Sequence, residues 1–235
     1  MNKLVFDIET IGEDFSTLDG TTQDVLTRWI KKESETEAQY EKQLSDLKNR
    51  LGFSPLTGEI VAIGVYDIEK EKGAVYFQSP GETHDFEQNN IKFKSLDEKE
   101  MLEKFWEVAE KYSEFISFNG RAFDIPFMMI RSAVHGIKPT KNLVEKRYVT
   151  SHKSDERHID LLDQLTFYGV VRKKGNLHLW SRAFGIKSPK SEGVTGDDVG
   201  NLFKEKKYLE IAKYNTGDLL ATKELYNKWE KFIKF

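Results

Sequence analysis

Leu4-Val5-Phe6-Asp7-Ile8-Glu9-Thr10 opens apolar and turns acidic within one short segment. The run from Lys3 to Phe6, ending abruptly in charge, is the pattern of a buried strand. Residues two apart on a strand project to the same face. Asp7 and Glu9 therefore present two carboxylates side by side where the apolar run stops. Acids this close repel unless one is protonated or a cation lies between them. Such oxygen ligands suit hard divalent cations like Mg²⁺, which keep waters that a phosphate can replace. The other reading of the pair is a polar strand end leading into a solvated loop.

Around this segment the chain alternates strand and helix patterns. Ile60 to Tyr66 and Ala74 to Phe77 read as strands about a turn at 67–73. Leu96, Met101, Leu102, Phe105, Val108, Ala109 and Tyr112 form a helical stripe, with Ser95 as its expected N-cap. Phe115 to Phe118 reads as a strand, and Asp124 to Val134 as a helix with Pro126 in its first turn. Arg157 to Ile159 reads as a short strand, and Leu161 to Tyr168 and Leu177 to Phe184 as short helices. Glu205 to Ile233 reads as largely helical, with a weak point at Gly217. Five strands with interleaved helices predict an α/β fold on a mixed five-stranded sheet flanked by helices.

Residues 14–52 stand apart from this alternation. Val25, Leu26, Trp29 and Ile30 suggest one helix, and Tyr40, Leu44, Leu47 and Leu51 a second. The expectation is one domain over 1–235, carrying a helical pair or lid inserted after the first strand. A surface excursion without a role is the alternative.

Composition sets outer limits. Hydrophobic residues at 38% and aromatics at 12% suffice for a core, and 32% charged residues imply an amply solvated surface. The absence of cysteine excludes disulfides, thiolate metal sites and thiol nucleophiles, and fits a reducing compartment. MNKLVFDIET holds no long apolar run, so neither a signal peptide nor a membrane span is expected there, and cytoplasmic residence is the expectation. A formal net charge of -3 argues against a passive nucleic-acid coat, which is usually basic.

Two further stretches offer groups that complement the first. Asn119-Gly120-Arg121-Ala122-Phe123-Asp124 gathers an amide, an aromatic ring and an acid around one strand-to-helix turn. The amide can donate to a phosphate and the ring can stack on a base. Asp124 alone would read as a helix N-cap, and Arg121 as either a contact to a polyanion or a solvated side chain. Tyr214 and Asp218 lie four apart in a helical stretch and so share a face. That places a phenol beside an acid, although the pair also fits an ordinary amphipathic helix. A phenol with a pKa of about 10 is a poor base and a better orienter of water.

These pieces carry a resemblance. FDIET (6–10), FNGRAFDIPF (118–127) and YNTGD (214–218) resemble the first, second and third exonuclease motifs of the DEDD superfamily in its tyrosine-bearing (DEDDy) branch. The chain is similar to the proofreading exonuclease domain of family B DNA polymerases and to free-standing relatives of that domain. GEIVAIGV (58–65), HIDL (158–161) and SPKSEGVTGDDV (188–199) support the likeness, and Lys213 stands where the histidine-bearing branch has its histidine.

The resemblance implies a ribonuclease H-like fold and a metal-dependent 3′-to-5′ exonuclease acting on single-stranded DNA to release nucleoside monophosphates. It implies that Asp7, Glu9, Asp124 and Asp218 hold two divalent ions, Mg²⁺ or Mn²⁺, in a two-metal hydrolysis. Tyr214 would assist the attacking water, and Thr10, Asn119 and Phe123 would lie near the terminal nucleotide. Single-stranded nucleic acid is the expected partner, DNA ahead of RNA, with no membrane and with replication or repair proteins unspecified. An exoribonuclease of the same fold and an inactive nucleic-acid binder are the rival readings. Arg172-Lys173-Lys174 and Lys187-Ser188-Pro189-Lys190 are basic clusters that either follow a phosphate backbone or are simply solvated. Asp160 is expected to cap the helix after it, with a contact to the site as the alternative. His84, His135, His152, His158 and His178 show no ligand spacing.

Overall fold

A computed structural model describes residues 2–187 and 196–234. Seven strands form one mixed sheet in the order β4-β5-β3-β2-β1-β6-β7. They are β1 (Lys3–Gly12), β2 (Gly58–Asp67), β3 (Lys72–Phe77), β4 (Asp85–Gln88), β5 (Ile91–Ser95), β6 (Glu114–Ser117) and β7 (Arg157–Asp160). The long β1 runs antiparallel to β2 and parallel to β6, which in turn runs parallel to β7.

The helices are α1 (Gly20–Glu33), α2 (Glu37–Arg50), α3 (Glu98–Ala109), α4 (Asp124–Val134), α5 (Leu161–Leu165), α6 (Leu177–Ala183), α7 (Val199–Lys204) and α8 (Tyr208–Phe232). Strand alternation sorts β1 between two cores. Val5 joins Val61, Ala62 and Val75 under Leu219, Leu225 and Trp229 of α8. Leu4, Phe6 and Ile8 face Met101, Leu102 and Phe105 of α3 and Ile125 and Met128 of α4. With both faces covered, β1 needs an apolar residue at nearly every position, which explains its opening run.

Several expectations change. The sheet has seven strands rather than five, because residues 85–95 fold as the β4–β5 hairpin. Its turn is Asn89-Asn90, both at positive φ (51° and 62°), as a tight two-residue hairpin turn requires. Ser95 is not the cap of α3. It ends β5, its hydroxyl accepts from the His84 N–H, and Asp97 forms a reciprocal capping box with Glu100. The helix expected over 161–168 stops at Leu165, where Phe167 and Tyr168 turn to positive φ. Gly217 is no weak point, since α8 runs unbroken through it, and the helix begins at Tyr208 rather than Glu205.

Residues 14–52 contain α1 and α2, capped by Asp19 and Thr36. The chain then returns to β1 through a 3-10 turn at Leu51–Phe53. Among the described residues no helix is long and apolar enough to cross a membrane.

Candidate active site

Topology creates the site. β6 pairs with β1 only through Lys3, Leu4 and Val5, so β1 outruns its parallel neighbour. Beyond Val5 its N–H groups on that side need other partners. The Ile8 N–H donates to Asp124 Oδ1 at 3.1 Å, which fastens the start of α4 to the exposed flank of β1. On the α8 face, Asp7 and Glu9 meet Asp218, and oxygens of all three carboxylates lie within 4.8 Å of one another. Asp124 is not in that tight trio, but its charge acts on both Asp7 and Glu9.

Crowded burial raises these acids. Desolvation first, then the Asp124, Asp218 and Glu9 charges, lift the Asp7 carboxyl well above the usual range, opposed by a hydrogen bond from Asn215. Glu9 is lifted in the same way by burial, then by Asp218 and Asp124. Asp124 is pushed up to about 7, mainly by desolvation, with the Ile8 hydrogen bond opposing. Clustered carboxylates that resist ionisation have the donor set and spacing that a hard divalent cation satisfies.

Tyr214 is buried one turn before Asp218. Burial, then the Asp218, Glu9 and Asp7 charges, drive its phenol far above the ordinary tyrosine range, so it stays protonated and acts as a donor. Asn119 takes a positive φ of 65° at the end of β6. Phe123, half-buried before Asp124, packs on Phe127 with ring centroids 5.6 Å apart. Thr10 lies beyond the acids, and its hydroxyl donates to Gly52 O at 2.7 Å. Arg121 donates to the Lys146 carbonyl.

Two contributors, Asn215 and Phe53, escaped the sequence reading, and Asp160 takes up its alternative role beside the site. Asn215 donates through Nδ2 to Asp7 Oδ2 at 2.8 Å. Asp160 does cap α5, accepting from Leu162 N, but it also accepts from Asn119 N and Arg121 N at 2.9 and 3.0 Å. It thereby holds the turn that presents Asn119, Phe123 and Asp124. Phe53 stands 6.4 Å, centroid to centroid, from Phe123. Of these, Asp160 alone had a visible signal, its place in HIDL. Arg172, Lys173 and Lys174 are exposed between α5 and α6, whereas residues 188–190 of the second basic cluster, and most of SPKSEGVTGDDV, lie outside the described residues.

The mixed sheet, with carboxylates gathered at its inner strand β1, has the ribonuclease H-like architecture. Residues 59–234 match the family described as "Predicted 3'-5' exonuclease related to the exonuclease domain of PolB". The chain belongs to that family, and so to the nuclease hydrolases. Asp7 and Glu9 precede the matched span. The fold is similar to the family B DNA polymerase from the hyperthermophilic archaeon Pyrobaculum calidifontis, at TM-score 0.59 and 16% identity, over 99% of this chain and 25% of that one. The chain thus spans about a quarter of that polymerase. No curated protein matches it.

Proposed function

We propose that this chain is a DEDDy-type 3′-to-5′ exonuclease that removes nucleoside monophosphates from single-stranded DNA by a two-metal mechanism. The observation that carries this reading is the meeting of Asp7, Glu9 and Asp218, from opposite ends of the chain, within 4.8 Å beside the buried Tyr214. Asp7, Glu9, Asp124 and Asp218 would hold two divalent ions, Mg²⁺ or Mn²⁺. Bound there, such ions lower the pKa of water and stabilise charge on the leaving 3′ oxygen.

The chain's own groups supply position. Tyr214, held protonated, donates to the Asp218 carboxylate, and its oxygen is left to accept from a water and so position it rather than deprotonate it. Asp124 ties α4 to β1, so the second and first motifs keep one geometry. Phe123 offers a ring to the terminal base, and Asn119, in its left-handed turn, offers an amide to the sugar–phosphate. The partner is single-stranded nucleic acid, DNA ahead of RNA, in a cytoplasmic setting, without a membrane; replication or repair proteins are left unspecified.

The test uses 5′-labelled single-stranded DNA and RNA, each with and without Mn²⁺ or Mg²⁺. The expected result is a ladder shortened stepwise from the 3′ end of DNA, only with metal. A ladder on RNA alone would reassign the substrate, and metal-independent shortening or none would overturn the reading.

A further inference from the structure

β7 closes one edge of the sheet, so the N–H groups on its outer side have no neighbouring strand to bond. A histidine fills one such gap. The His158 N–H donates to His152 Nδ1 at 3.0 Å, and His152 Nε2 lies 2.7 Å from the Lys146 carbonyl. That same carbonyl accepts from Arg121 Nη1 in the second-motif turn. The His158 ring serves the other end of the turn, with Nε2 2.8 Å from Ser117 Oγ and Nδ1 2.9 Å from Leu143 O. Two imidazoles thus tie both ends of the turn, Ser117 and Arg121, to residues 143–146.

The partners dictate where the protons sit. A carbonyl only accepts, so His152 Nε2 and His158 Nδ1 each carry a hydrogen. A backbone N–H only donates, so His152 Nδ1 is bare. The rings differ in how they tolerate a second proton. On His158 it would sit on Nε2, where the Ser117 hydroxyl can turn from donor to acceptor. Burial opposes that proton, with the Asp160 charge favouring it. His152 has no such adjustment, because a proton on Nδ1 would meet the His158 N–H, donor against donor. Glu145, Lys146, Lys153 and Glu156 line the recess around His152, and His158, Asp160 and Arg121 supply the charged and titratable groups from β7 and the turn. Glu156 is already engaged, by Asn142 N at 3.3 Å and Lys153 at 3.5 Å.

We propose that His152 is a positioning residue for the second-motif turn, a neutral imidazole whose two bonds hold residues 142–152 behind Asn119 to Asp124 and which lets them go when protonated. Its effect on catalysis rests on the exonuclease reading above, whereas the latch itself does not. Acidification through the range where imidazoles gain charge, about pH 8 to 5, strands the His158 N–H and loosens the segment that carries the Lys146 carbonyl. Asp160 still holds Arg121 N at 3.0 Å, so the turn slackens without unfolding.

The test compares wild type, His152→Gln and His152→Ala at about pH 8 and about pH 5.5. A glutamine amide offers an acceptor and a donor at its tip and does not titrate. The first readout is amide hydrogen exchange of residues 142–152 in metal-free protein, taken as protection relative to the unfolded chain at the same pH. Wild-type protection should fall about tenfold at the lower pH, the loss of about one net hydrogen bond. His152→Gln should hold the higher protection and His152→Ala the lower one, each within about twofold at both pH values. The second readout is kcat on single-stranded DNA with Mn²⁺, as the ratio of wild type to His152→Gln, which cancels the acids common to both. That ratio should fall about threefold or more on acidification. Wild-type protection that does not change, or an equal fall in His152→Ala, would overturn the latch. A constant kcat ratio would overturn the positioning role. Absence of cleavage by wild type at either pH would remove the exonuclease reading, and the exchange result would still decide the latch.

Discussion

Asn215 donates through Nδ2 to Asp7 Oδ2 at 2.8 Å, while its own Oδ1 is buried without a hydrogen-bond partner. The amide fits only because Gly64 of β2 lacks a side chain, since a Cβ there would lie 2.0 Å from that oxygen. Partners that orient a metal's ligands typically account for 10- to 100-fold in affinity or activity. Asn215→Ala should therefore shift the Mn²⁺ activation curve to concentrations about tenfold higher. An unmoved curve would reduce the contact to packing. Gly64→Ala should destabilise the fold, read as a lower denaturant midpoint.

Asp7→Ala and Asp218→Ala should each abolish metal-dependent cleavage with the circular dichroism spectrum intact. Each also removes one of several mutually repelling buried acids. The metal-free variants should accordingly be more stable than wild type by roughly 1 kcal/mol, a trade between stability and activity common at active sites. Full activity in either variant would reject the assignment.

Tyr214→Phe keeps the buried ring and removes the hydroxyl. Because the phenol acts as a donor, kcat should fall on the order of 100-fold. The metal concentration for half-activation should hardly move. A large shift in that concentration instead would make Tyr214 part of the ion-holding set.

Asp160 accepts three backbone N–H bonds, from Asn119, Arg121 and Leu162. Asp160→Ala leaves those donors without a partner, at a cost of about 1–3 kcal/mol for each group that stays buried. Thermal unfolding should show the loss, together with reduced activity from a displaced Asp124. Wild-type stability in the variant would show that water replaces the carboxylate.

Asp124 sits at about 7, lifted chiefly by desolvation. Between about pH 4 and pH 7 the folded chain then keeps a proton that the unfolded chain has released. Stability from this group is full at the acid end and is lost as pH rises through 7. In chelator, the melting midpoint should fall by several degrees from about pH 5 to pH 8, and millimolar Mn²⁺ should restore it at the upper end. Identical midpoints with and without Mn²⁺ at pH 8 would separate the acid cluster from metal binding.

Much of this site was legible because its parts obey short periods. Asp7 and Glu9 share a face through the two-residue repeat of a strand, and Tyr214 and Asp218 through one helical turn. The bounds of α4 followed from Asp124 and Pro126. The β4–β5 hairpin went unread although Ile91-Lys92-Phe93-Lys94 alternates and Asn89-Asn90 signals a turn, because so short a charged strand resembles a loop. Ser95 was mistaken for a cap since Asp97, two residues on, competes for that role and brings Glu100 with it. Asn215, Asp160 and Phe53 act through partners about 40 to 200 residues away. No local pattern carries the Asn215 and Phe53 contacts, whereas HIDL marks Asp160.

The Gly12–Gly52 contact has a consequence for how the chain can be altered. Backbone lies against backbone there, so the two ends of the α1–α2 excursion are pinned together. An insertion at the exposed connection between α1 and α2 should therefore leave the acids in place, read as unchanged metal-dependent activity. That connection is the natural point of attachment for a tether or label, whereas one added methyl group at position 12 or 52 would pry the assembly apart.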